Sequence, residues 1–113
     1  MGRASILGEL EQMVLMAVLR LTDAYPVSVR NEISARTGVD LSRGSMYVTL
    51  SRLEERGLVV SALGEPTAER GGKAKRCFTV TAAGRKALRD SHTALRQLSQ
   101  GIESLINPPN RRS

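Results

Sequence analysis

The chain has 113 residues, a net charge of +6 and a sequence pI near 10.4, enough for one small domain with a modest core. Aromatics are 3% with no Trp, so that core is aliphatic, and no run reaches the roughly 18 apolar residues of a membrane span. One cysteine, Cys77, forms no intrachain bridge, and His92 has no second His or Cys at ligand spacing, which argues against a disulfide scaffold and a metal centre.

Acidic residues come early in MGRASILGELEQ, unlike a signal peptide, and a cytoplasmic location is expected. Charge is uneven along the chain. Residues 1–40 carry a net −1 and residues 41–113 a net +7. A neutral front and a basic back suit a polyanion contact made by the second part.

Residues 6–21 read as a first helix, with Leu7, Leu10, Val14, Ala17, Val18 and Leu21 on one face. Met13, Met16 and Leu19 fall on other faces. A helix apolar beyond one stripe is either central to the core or meets another subunit. Tyr25-Pro26 breaks it, because proline removes a donor and holds the preceding residue extended. Residues 27–37 form a second helix on Val29 and Ile33, ended by Gly38.

A short connection leads to residues 42–56, the stretch that organises the rest. Ser42 is suited to cap this third helix, and Met46, Leu50 and Leu53 share its inner face. Ser45, Val48, Ser51, Arg52 and Glu55 point outward, with Gly44 among them, so a broad partner can approach closely. Arg52 offers a planar fork and Ser45 a short hydroxyl, both fitted to base edges or phosphates. Tyr47 falls on the flank. Arg43 stands in the first turn, where the helix dipole disfavours a cation unless an anion is near. Two helices across so tight a turn make a helix-turn-helix.

After Gly57 the period becomes extended. Residues 58–63 and 76–80 read as two strands around a glycine-containing loop, a hairpin. Its RGGKAKR run places Arg70, Lys73, Lys75 and Arg76 within seven residues, a fit to phosphates. The bland alternative is a set of lysines and arginines that keep a sheet edge soluble. Residues 81–106 then read as one long helix capped by Thr81. Its seam is Leu88, Leu95, Leu98, Ile102 and Leu105, with Ser91 in one expected apolar place. Asn107-Pro108-Pro109 stops it, and residues 107–113 are expected to be a disordered tail.

The fold class is therefore mostly α with a small β-hairpin: a winged helix-turn-helix over residues 1–80, followed by a dimerisation helix that packs with the first. The residues resemble the PadR-like transcriptional regulators. The likeness is carried by Leu7-Gly8-Glu9-Leu10-Glu11, Gly44-Ser45-Met46-Tyr47, Leu50, Leu53, Glu54 and Gly57-Leu58. It continues through Leu63-Gly64-Glu65-Pro66-Thr67, Glu69-Arg70-Gly71-Gly72 and Thr81-Ala82-Ala83-Gly84-Arg85, covering about residues 7–88. The short C-terminal helix looks like the compact branch of the family.

The resemblance implies a cytoplasmic homodimer that represses transcription from a two-fold related operator. By position, Ser42, Arg43, Ser45, Tyr47 and Arg52 would meet double-stranded DNA, with Arg70, Lys73, Lys75 and Arg76 on the wing. Leu10, Met13, Met16, Leu88, Leu95, Leu98, Ile102 and Leu105 would form the dimer. No cofactor and no catalytic constellation are expected, and an effector is left open. Pro26 stands where the family usually has glycine, and the absence of Trp removes the aromatic clamp some relatives use for drugs. A winged-helix protein-interaction module is the competing reading.

Overall fold

A computed structural model describes residues 6–64 and 75–107. Its elements run α1 (Glu9–Arg20), α2 (Pro26–Thr37), α3 (Arg43–Glu55), β1 (Val59–Leu63), β2 (Arg76–Val80), α4 (Ala82–Ser99) and α5 (Glu103–Ile106). The two strands are antiparallel, with Val59 opposite Val80 and Leu63 opposite Arg76. This is the mostly helical, single-hairpin architecture that the periodicities predict.

Local chemistry sets the boundaries. Glu11 Oε1 accepts the Gly8 N–H at 2.9 Å and starts α1 there, three residues later than the apolar pattern alone suggests. Pro26 occupies the first turn of α2, where its missing N–H costs nothing. Ser42 and Thr81 cap α3 and α4 through hydroxyls that accept the Ser45 and Gly84 N–H groups, each at 3.0 Å.

The core gathers Val14, Leu15 and Val18 of α1, Val29 and Ile33 of α2, and Met46, Leu50 and Leu53 of α3. Val59, Phe78 and Val80 of the hairpin and Leu88 of α4 close it. Each fully buried aliphatic side chain contributes about 1.5–3 kcal/mol. The Ala24 carbonyl accepts the Phe78 N–H at 2.9 Å, so the α1–α2 connection lies alongside the hairpin as an added extended segment. Gly84 is where α4 presses on this body. A β-carbon there would stand 2.1 Å from the Leu58 carbonyl oxygen.

The predicted helix over residues 81–106 is two helices. Gly101 takes φ +87°, a left-handed value that glycine reaches without a side-chain clash, and it separates α4 from α5. Ser91 also departs from its expected place on an intersubunit seam. It is fully buried within the chain, where its Oγ accepts the Leu7 N–H.

Candidate nucleic-acid interface

The buried residues of α3 are Met46, Thr49, Leu50 and Leu53. Opposite them Gly44, Val48, Ser51 and Glu55 face outward, with Val48 half exposed at 51%. Thr49 is an addition to the inner face that its polarity hides in the sequence. The remaining side chains divide between two flanks.

On the flank nearest the hairpin, Tyr47 and Glu54, with Ser51 at the edge of the outer face, line a groove of 420 Å³ together with Tyr25, Lys75 and Arg76. Its walls carry three aromatic rings, those of Tyr25, Tyr47 and Phe78, and two cations. Lys75 Nζ lies 5.8 Å from the Tyr25 ring centroid, and the Lys75 carbonyl accepts the Gly64 N–H at 2.7 Å, which pairs the two strands at their loop end. Arg76 Nη1 donates to Ser61 Oγ at 2.9 Å, and that hydroxyl donates to Glu54 Oε2 at 2.7 Å. A chain of hydrogen bonds thus joins the hairpin to the last turn of α3. Glu54 and Ser61 were absent from the site predicted from sequence. They lie seven residues apart on different elements, and no local pattern pairs them.

On the opposite flank Ser45 and Arg52 border the start of α1, beside Leu10 and Thr49. Ser42 is committed to its cap, and its hydroxyl also donates to Ser45 Oγ at 3.0 Å. Arg43 and Arg52 are exposed, and among the described residues neither pairs with an acid. Arg20 and Arg36 share Glu32, and Arg56 holds Glu11. The nine predicted contact residues therefore fall into three groups. Tyr47, Lys75 and Arg76 share one groove; Ser42, Arg43, Ser45 and Arg52 belong to α3 away from it; Arg70 and Lys73 lie outside the described residues.

An outward third helix beside a two-stranded hairpin, on a tri-helical core, is a winged helix-turn-helix. The model of the transcriptional regulator PadR-like family matches residues 14–90, and the chain belongs to that family. The family is one of transcriptional regulators.

The chain is 38% identical over 68 residues to the transcriptional regulator Rv3488 of Mycobacterium tuberculosis, spanning 60% of that relative's length and of its own. In fold it is similar to a PadR family regulator from Clostridium difficile, with a TM-score of 0.72 at 18% identity, covering 88% of this chain and 100% of that one. A PadR family regulator from Eggerthella lenta gives 0.66 at 22% identity, covering 89% and 88%. No helix among the described residues is long and apolar enough to cross a membrane.

Proposed function

We propose that the chain is a homodimeric, sequence-specific double-stranded DNA-binding repressor acting in the cytoplasm on a two-fold related operator. The observation that carries this reading is the outer face of α3. Small residues at its N-terminal end let a duplex come close, Arg43 and Arg52 are exposed and pair with no acid among the described residues, and Lys75 and Arg76 stand across a groove from Tyr47. In this reading α3 enters the major groove, where Arg52 reads a base edge, and the hairpin neutralises phosphates. Arg70 and Lys73 belong to the same wing contact.

The dimer would be made by the exposed apolar residues Leu95, Leu98, Ile102 and Leu105, with Leu10, Met13 and Met16 of α1. Leu88 lies in the chain's own core and supports that surface from beneath. The test is fluorescence anisotropy on the chain's own upstream DNA and on a scrambled duplex across a salt series. Tight, salt-steep binding that prefers the upstream duplex is expected, with a log-log slope of about −0.9 per phosphate neutralised. Equal binding to both duplexes would remove sequence specificity. Binding to neither at low salt would favour a protein-interaction module.

A further inference from the structure

The groove between α3, the start of α2 and the returning strand carries more chemistry than a phosphate contact uses. Its 420 Å³ falls within the size range of small-molecule sites. Tyr47, Ser51 and Glu54 follow one another along its α3 side, over two helical turns or about 10 Å.

Three kinds of group meet there. The Tyr47 ring is 52% exposed, a plane open to stacking. Lys75 and Arg76 pair with no acid among the described residues. The third is a donor and an acceptor held on either side of one hydroxyl. Ser61 Oγ accepts from Arg76 Nη1 and donates to Glu54 Oε2, so guanidinium and carboxylate stay close without neutralising each other. Glu54 Oε1 and the other Arg76 N–H groups have no partner among the described residues.

A duplex phosphate would use the cations alone, and Glu54, the one acid among the lining residues, would repel it. The groove is complementary instead to a planar ligand that is anionic at one end and gives N–H bonds from its ring edge. A guanine nucleotide meets all three demands. Its base sets an acceptor, O6, beside two donors, N1–H and the amino group, so one edge serves a guanidinium and a carboxylate together. Adenine offers a carboxylate only its amino group, with a ring acceptor beside it. Stacking on tyrosine is how unpaired bases are commonly held.

We propose that this groove binds a free guanine mononucleotide. The base lies against Tyr47, Arg76 and Glu54 read its edge, and Lys75 holds the phosphate. Tyr47, Lys75 and Arg76 also belong to the proposed duplex contact, so nucleotide and DNA exclude each other. That competition rests on the DNA-binding reading above; the site itself does not.

Calorimetric titration of the full chain with GMP, in the absence of DNA, tests the site. Saturable binding is expected, about tenfold tighter than for AMP, guanosine or 2-naphthyl phosphate, which lack in turn the paired donors, the phosphate and the polar edge. Tenfold is the scale of one hydrogen bond to a charged group. Tyr47→Ala and Lys75→Gln should each weaken GMP by about the same factor with thermal melts unchanged, and Glu54→Gln should erase the preference for GMP over AMP. Absence of saturation, equal binding of GMP and AMP, or indifference to Tyr47→Ala and Lys75→Gln overturns the site. Anisotropy of a labelled duplex with added GMP then reads the competition, and release of the duplex is expected. GMP bound beside an undisplaced duplex leaves the site standing and takes this groove out of the duplex contact. A chain that binds GMP and no duplex overturns the DNA-binding reading alone.

Discussion

The buried Ser91 hydroxyl accepts the Leu7 N–H at 2.9 Å and donates to the Ala87 carbonyl at 2.9 Å. One side chain of α4 thereby holds the entry to α1, eighty-four positions earlier in the chain. Leu7 is itself buried, so its amide has no water to turn to.

Ser91→Ala should therefore destabilise the fold by about 1–3 kcal/mol, the cost of leaving a buried donor unmet. Urea unfolding followed by circular dichroism measures it. A variant within a few tenths of the parent would show that Leu7 finds another acceptor.

Gly84→Ala is expected to be more disruptive than a helix propensity scale suggests, since alanine is the better helix former. The added carbon would meet the Leu58 carbonyl oxygen at 2.1 Å and Val80 Cγ1 at 2.8 Å. Overpacking of this kind costs about 1–3 kcal/mol, and more where backbone must shift. A lowered thermal midpoint checks it; an unchanged or raised midpoint would mean that α4 can ride outward freely.

The Arg36 hydrogen bond, with a further contribution from Arg20, holds the Glu32 carboxyl below its ordinary value of 4.5. A depressed carboxyl pKa contributes stability above the unfolded-state value and loses it as pH falls through the lower folded-state value. Glu32→Gln should thus be less stable than the parent near neutrality, and the two should converge in acid below the ordinary carboxylate range. Urea midpoints at neutral and acid pH give the comparison. A gap that persists undiminished in acid would assign the effect to packing. Because Glu32 is on the surface, the difference should shrink in high salt as well.

For the proposed DNA contact, Arg52→Ala should cost about 1–3 kcal/mol on the operator and little on random duplex. Equal losses on both would make Arg52 a backbone contact. Ser61→Ala probes the other flank, because it cuts Arg76 from Glu54 without removing a charge. Anisotropy should then show weaker binding to all duplexes at an unchanged salt slope, as expected when a cation is retained but less well held.

The order of elements could be read in advance because each change of element is a change of period or a local breaker. Pro26 opens α2, Ser42 caps α3, Gly57 follows α3, and Thr81 caps α4. These signals act within four residues, and the sequence displays them directly. What escaped were partnerships between distant positions. Ser91 looks like a polar interruption of a leucine seam until Leu7 is seen beside it. Arg76 looks like a free cation until Ser61 and Glu54 hold it. Gly101 was legible as a weak point of a helix, but not as a break, because only its φ tells the two apart. The exposed face of α3 was legible through its spacing, whereas its two flanks depend on where α1 and the hairpin lie.

The bond from the Phe78 amide to the Ala24 carbonyl has a mechanical consequence. It clamps the returning strand to the connection that launches α2, while the Glu54–Ser61–Arg76 chain clamps the leading strand to α3. The hairpin base is thus bolted at two points to the helical unit, and the gap between hairpin and α3 works as a gauge of fixed width. A partner that engages both must conform to that width, so shape is imposed by the protein and accommodation is left to whatever it grips.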